Sequence, residues 1–205
     1  AVESGNLKIV IEATDLLPIV DDVISTCQAL AFKNGIILEH EKFSSDQIIV
    51  DVDSNRMKQV ILNLISNAIK YNKPNGKVIV SYLKQKNSQI RLGVKDSGYG
   101  ISDDNKEKIF KPFQRLDVGG KNIEGSGIGL TISKQLIELM SGKIGFESTR
   151  DKGSYFYIDL QLSNNTLPKK ELINRIKLQT DNVKTLDLNK VLYIEDNEVN
   201  IKLVG

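Results

Sequence analysis

Asn63, Asn67 and Lys70 recur at spacings of four and three residues. At about 100° per residue a helix carries them on one stripe, so two amides and an ammonium would face the same way. The apolar residues of the segment, Met57, Ile61, Leu64, Ile65, Ala68 and Ile69, fall on the other side, and Tyr71 lies near the boundary. Amide oxygens are hard ligands of the kind Mg²⁺ accepts beside water and phosphate oxygens. A lysine beside them would neutralise phosphate charge. A solvated polar face on an amphipathic helix gives the same pattern. A second cluster, Asp96-Ser97-Gly98-Tyr99-Gly100, follows directly on a strand-like run. Its carboxylate can accept a hydrogen bond from an amino group such as that of adenine, while glycines allow close backbone approach. A plain Asp-Ser-Gly turn is the competing reading.

Gly125-Ser126-Gly127-Ile128-Gly129-Leu130 opens a helix. Successive N–H groups at a helix start bind phosphate. The glycines alone also suit a dinucleotide-binding turn, but that needs a preceding strand, and a long polar loop stands there instead. No Lys-Ser or Lys-Thr pair follows them, which excludes a P-loop. Between the two glycine clusters lies Ile109-Phe110-Lys111-Pro112-Phe113-Gln114-Arg115. Phe110 and Phe113 are expected to anchor this loop on the body of the domain, in line with ordinary core packing. Arg115 has the fork geometry to reach a terminal phosphate, or to make a surface ion pair.

Elements must hold these groups in place. The apolar periodicity predicts a helix from Leu16 to Asn34, capped by Asp15, with Pro18 tolerated in its first turn. Short strands are expected at Gly35–His40 and Gln47–Val52, then a helix capped by Ser54 and running to about Tyr71. Asn72-Lys73-Pro74-Asn75-Gly76 reads as a turn into a hairpin of Lys77–Leu83 and Gln89–Lys95. Asp96 to Ser126 reads as a long irregular stretch, of a length that is usually functional or disordered. A third helix should run from Gly127 to Met140, followed by a hairpin of Lys143–Thr149 and Ser154–Gln161. Six strands and three main helices imply an α+β fold, a two-layer sandwich with helices on one face of a mixed, mostly antiparallel sheet.

The composition excludes several classes. With 40% hydrophobic and 26% charged residues, the 205-residue chain has the balance of a globular domain able to bury a core without disulfides or structural metal. A net charge of +2, with no basic stripe interleaved with aromatics, gives no sign of a nucleic-acid partner. The one cysteine, Cys27, cannot form an internal disulfide and sits in a helical apolar pattern, so it is expected in the core. The one histidine, His40, is expected on a strand surface, since metal sites and histidine triads need more partners than this chain offers. No apolar run approaches the ~20 residues that span a bilayer, and no signal-peptide pattern opens the chain. A cytoplasmic location without membrane contact is expected, any anchor lying outside this chain.

Four segments in this order resemble the catalytic domain of sensor histidine kinases in the GHKL superfamily, over residues 1–162. Gln59 to Tyr71 looks like its N box. Asp96, Gly98 and Gly100 match the first glycine box, Phe110 and Phe113 the F box, and Gly125, Gly127 and Gly129 the second glycine box. Gly142-Lys143-Ile144-Gly145 and Gly153-Ser154-Tyr155-Phe156 are similar to the closing strand pair. The resemblance implies the Bergerat α/β sandwich and an ATP site served by Mg²⁺. It implies that Asn67 is the main Mg²⁺ ligand, with Asn63 near the phosphates, Lys70 on a phosphate and Tyr71 beside the base. Asp96 would read the adenine amino group, and Ile101 and Leu130 would line the base pocket. Phe113, Ser126 and Ile128 would join the boxes in the nucleotide site. Arg115 would approach the γ-phosphate, making Asn67, Lys70 and Arg115 the catalytic set. Residues 114–126 would form the ATP lid, hinged at Gly119, Gly120 and Gly125.

The same resemblance divides the chain. Residues 1–15 would follow the dimerisation helices that carry the phosphoacceptor histidine, which is expected upstream of Ala1. Residues 16–162 would be the catalytic domain and 163–188 a linker. Residues 189–205 resemble the first strand and acidic pair, Glu195 and Asp196, of a receiver domain, with a surface acidic turn as the alternative. The implied parent is a hybrid kinase, with the dimerisation and receiver domains as partners. This chain would bind ATP without phosphorylating itself, and would be mostly monomeric. GHKL ATPases such as gyrase, mismatch-repair and heat-shock proteins activate water with a Glu one turn before the metal-binding Asn. That position is Asn63 here, and amides are poor general bases. A degenerate interaction module without ATP is opposed by the intact Asn67, Asp96 and glycines.

Overall fold

A computed structural model describes residues 8–114 and 127–164 of the chain. These lie in one contact-defined unit, Ala1–Leu167. The described elements run β1 (Glu12–Asp15), α1 (Leu16–Lys33), β2 (Ile37–His40), β3 (Ile49–Val52), α2 (Ser54–Lys70), β4 (Lys77–Gln85), β5 (Gln89–Asp96), α3 (Asp103–Lys106), α4 (Gly129–Leu139), β6 (Lys143–Thr149) and β7 (Gly153–Gln161).

Aspartates start the first two long helices. Asp15 caps α1 by accepting from the Leu17 N–H at 3.2 Å, and also takes the Ile48 N–H at 3.0 Å. The cap of α2 is Asp53 rather than the expected Ser54, which is the first helical residue. Asp53 Oδ1 accepts from the Arg56 N–H and Oδ2 from the Val10 N–H, both at 3.0 Å. These N–H groups hold its carboxyl below the ordinary carboxylate range, Val10 contributing most. Ser54 and Asp53 are both good caps by type; the second partner, Val10, favours the residue with two acceptor oxygens.

Seven strands are present among the described residues, one more than expected. β1 has no alternating run of its own and exists by pairing antiparallel with β3, Glu12 opposite Val52. The main sheet has the order β2-β4-β5-β7-β6. β2 lies parallel to β4, and the remaining pairs are antiparallel. α1, α2 and α4 lay their apolar faces on one side of it. Val20, Val23 and Cys27 of α1, Ile61 and Ile65 of α2 and Ile137 of α4 meet Val80, Leu92 and Ile158 of the sheet in one core, each at most 1% exposed. The expected α+β sandwich is thus the observed one.

The other face of the sheet covers itself. Tyr155 lies over Gly93, where an added Cβ would come within 2.4 Å of the ring, and Tyr157 lies over Gly145 at 2.5 Å. Arg91 stacks 3.6 Å from the Tyr157 centroid and grips Asp159 with two hydrogen bonds of 2.7 and 2.8 Å. His40 is also more engaged than expected. Its Nδ1 is 3.2 Å from Asp21 of α1 and its Nε2 is 2.9 Å from the Tyr82 hydroxyl of β4, so it bridges helix and sheet.

Candidate functional site

One cavity opens between α2, the end of β5, the start of α4 and the start of β7. At its inner end stands Asp96, the last residue of β5, only 7% exposed. Its Oδ1 accepts from the Gly98 N–H at 2.8 Å and the Ser154 N–H at 3.2 Å. Its other oxygen takes no hydrogen bond among the described residues and is left for whatever enters the cavity. Burial pushes this carboxyl up from 3.8 to about 6, against the two N–H donors that pull it down. Around it the walls are apolar: Ala68, Ile101, Ile109, Leu130 and Phe156. A flat ring with an exocyclic amino group matches this end.

The loop after Asp96 is held by close backbone approach. A Cβ on Gly98 would lie 2.3 Å from the Tyr71 carbonyl oxygen, and Tyr99 donates to that same oxygen at 3.2 Å. Gly100 has φ +64 and a Cβ there would meet the Thr149 carbonyl at 2.0 Å, so no other residue fits.

The opposite end is polar. α2 presents Asn63, Asn67 and Lys70 to the cavity, as their helical stripe requires. Two of the three are wired together. The Asn63 Nδ2 donates to Ser133 Oγ of α4 at 2.9 Å, and the Asn63 Oδ1 accepts from Asn67 Nδ2 at 3.3 Å. This chain fixes the Asn67 amide on the cavity wall, its oxygen without a partner among the described residues. α4 begins beside it with no side-chain cap at Ile128. Its first residues, Gly129 and Leu130, line the cavity, which places the positive end of the helix dipole there. Gly129 lets α4 come this close, since a Cβ there would lie 2.4 Å from Asn63 Oδ1.

The cavity thus gathers Asn63, Asn67, Lys70, Tyr71, Asp96, Gly100, Ile101, Gly127, Gly129 and Leu130 from three separate stretches of sequence. Gly98 and Ile128 stand behind the wall, one packed under Tyr71 and the other at the helix start. Phe113 departs from expectation. It is 67% exposed, does not line the cavity and does not anchor the loop. Its φ of +62 turns the side chain outward, and its N–H binds the Gly127 carbonyl at 3.1 Å instead. Phe110 does anchor, edge-on to Phe146 at 5.9 Å. Arg115, Gly119, Gly120, Gly125, Ser126, Glu195 and Asp196 lie outside the described residues. Sequence reasoning missed Ser66, Ala68, Ile109, Gln114, Ser154 and Phe156. Ser66 and Ala68 flank Asn67 on the helix and could have been read from it. Ser154 reaches Asp96 only through strand pairing and left no local signal.

A model of the histidine kinase-, DNA gyrase B- and HSP90-like ATPase family matches residues 52–164, more than half of the chain. The chain belongs to this family. The described unit is its ATP-binding domain, of the type found in sensor histidine kinases. Sensor protein GacS of Pseudomonas syringae pv. syringae is 30% identical over 177 residues, 84% of this chain and 20% of that protein. The autoinducer 2 sensor kinase/phosphatase LuxQ of Vibrio vulnificus is 35% identical over 154 residues, 72% of this chain and 18% of that one. The chain therefore spans about a fifth of the length of these curated relatives. Among solved structures, the nucleotide-free catalytic domain of histidine kinase ThkA is similar, at TM-score 0.65 and 28% identity over 75% of this chain and 96% of that one. Full-length ShkA in complex with AMPPNP shares the fold, at TM-score 0.69 and 24% identity over 80% of this chain and 34% of that one. No described helix is long and apolar enough to cross a membrane.

Proposed function

We propose that this chain supplies the ATP-binding catalytic part of a hybrid sensor histidine kinase, which transfers the γ-phosphoryl group of ATP to a histidine on a separate dimerisation domain. One observation carries the reading: a buried carboxylate with one oxygen not engaged by the described residues, and a helix start without a side-chain cap beside the Asn67 amide, line a single cavity. Adenine fits the first end, its amino group donating to Asp96 and its ring between Ile101, Leu130 and Phe156. Phosphates fit the second, on the N–H groups of α4 with Lys70 beside them.

The same end suits Mg²⁺. Among the described residues no group of three or more His, Cys, Asp or Glu is placed to hold a metal ion. A cation there would take the Asn67 oxygen and otherwise phosphate oxygens and water, which is the habit of Mg²⁺. When bound it would neutralise charge on the phosphates. Arg115 would reach the γ-phosphate, and residues 114–126 would close over the nucleotide.

In the reaction the imidazole nitrogen bonds to the γ-phosphorus, the bond to the bridging oxygen breaks, and ADP leaves. The imidazole proton goes to a base on the histidine's own domain. What this chain contributes is position and charge neutralisation. Asn63 supports transfer to histidine over hydrolysis: it cannot take a proton, and both ends of its amide are already engaged. The partners are the histidine-bearing dimerisation domain and a receiver domain that residues 189–205 begin, in the cytoplasm.

Calorimetric titration of the chain with an ATP analogue and Mg²⁺, beside Asp96→Asn, tests the nucleotide site. Binding in the wild type with a marked loss in the variant supports it; no binding by the folded wild type rejects it. Labelled phosphate passing from ATP to a supplied dimerisation domain in trans tests the transfer, and ATP hydrolysis without transfer would reject it.

A further inference from the structure

Asn72 stands one residue past the site-bearing stretch of α2, outside the cavity, and is 8% exposed. Every hydrogen-bonding position of its amide is filled, each by a different segment. Its Nδ2 donates to the Ala68 carbonyl in the last turn of α2 at 3.2 Å and to the Lys77 carbonyl at the start of β4 at 3.1 Å. Its Oδ1 accepts from the Lys73 N–H of the turn at 2.9 Å and from the Ser97 hydroxyl at 3.2 Å. Ser97 follows Asp96 directly, and its hydroxyl also accepts from the Lys77 N–H at 2.8 Å. Space is held for this amide: a Cβ on Gly76 would lie 2.1 Å from Asn72 Oδ1.

The two ends of the cavity are thereby joined behind its wall. α2 carries the amide stripe and Lys70; β5 carries Asp96. They come from separate elements, and a backbone bond from the Tyr99 N–H to the Tyr71 carbonyl also ties the two stretches. A buried amide can bind two carbonyls and two donors at once, whereas a carboxylate has no donor and a hydroxyl only one. The residue type therefore matches the place. We infer that Asn72 is a positioning residue: it sets the spacing between the base-reading carboxylate and the phosphate-facing helix, and so the preference for adenine over guanine. This rests on the proposed ATP site.

The test compares affinities of the full chain for non-hydrolysable ATP and GTP analogues with Mg²⁺. Adenine donates to Asp96 from its amino group, whereas guanine presents a carbonyl oxygen there. A hydrogen bond to a charged group is worth roughly 10- to 100-fold in affinity. The ratio of the two affinities cancels losses that fall on all nucleotides, such as a smaller folded fraction or weaker phosphate contacts. Wild type should prefer ATP by that order. Asn72→Ala should cut the preference about tenfold or more, and Ser97→Ala, which removes one spoke of the network and leaves the amide, should cut it several-fold. A folded Asn72→Ala that keeps the wild-type ratio overturns the inference. Should Asn72→Ala not fold, Ser97→Ala decides, and an unchanged ratio there overturns it equally. Failure of the wild type to bind or to discriminate is a different result: it rejects the ATP site, and the inference with it.

Discussion

Asp96→Asn is expected to make the protein more stable and less able to bind nucleotide. The Asp96 carboxyl titrates at about 6 because burial disfavours its charge. A pKa displacement of one unit corresponds to about 1.4 kcal/mol, so raising it from 3.8 to about 6 places a cost of about 3 kcal/mol on folding with the group ionised. The sign follows from linkage. The folded pKa lies above the unfolded one, so the wild type has its full stability below pH 3.8 and loses this part as pH rises through about 6. Asparagine is close in shape, keeps an oxygen for the Gly98 and Ser154 N–H groups, and carries no charge to desolvate. Urea unfolding should therefore show Asp96→Asn more stable than wild type by about 1–3 kcal/mol at pH 8, with the gap closing towards pH 4. Its amide N–H₂ would face the cavity where an acceptor is needed, so ATP affinity should fall roughly 10- to 100-fold. Wild-type affinity should also weaken as pH drops below about 6, with no such step in the variant. A variant less stable than wild type at pH 8, or a stability gap independent of pH, would refute the reasoning.

Asn67→Ala should remove the Mg²⁺-dependent part of ATP binding, roughly tenfold or more; titrations with Mg²⁺ and with a chelator should differ for wild type and agree for the variant. Gly145→Ala places a methyl 2.5 Å from the Tyr157 ring, on which Arg91 stacks. Displacing that stack should cost about 1–3 kcal/mol in urea unfolding without changing nucleotide affinity. Cys27 is 1% exposed, and burial pushes its thiol above the ordinary value. It should resist alkylation at pH 8 in the folded protein and react fully in denaturant.

What could be read from the sequence was local. The α2 stripe follows from a single period, so Asn63, Asn67 and Lys70 are found on one face and on the cavity. The hairpins and the sandwich follow from alternation and turn residues. What escaped was set by pairing or by one torsion. β1 has no pattern without β3. Ser154 meets Asp96 because β5 and β7 align Lys95 with Tyr155, and the next step brings the two together. Phe113 has the composition of an anchor, and a positive φ turns it outward. His40 reads as a lone surface residue because its partners, Asp21 and Tyr82, come from other elements.

The site is also where the fold departs from its own habits. α1 and α2 each begin on an aspartate that satisfies backbone N–H groups, whereas α4, the long helix whose start lines the cavity, begins like the one-turn α3 without a side-chain cap. Among the described residues no fully buried side-chain polar atom lacks a partner; Asp96 holds a charge that burial opposes, and its second oxygen, which is not fully buried, takes no donor. Asn67 donates its N–H to Asn63, and its oxygen has no partner among the described residues. Each departure alone lowers stability or leaves it unimproved, and a sequence selected only to fold would cap, neutralise or pair these groups. On the proposed reading, a purine nucleotide with Mg²⁺ would bring a donor to Asp96, an anion to α4 and a cation to Asn67. This is why nucleotide should stabilise the domain by more than its contact area suggests, and why Asp96→Asn, by satisfying the protein alone, should deprive it of the ligand.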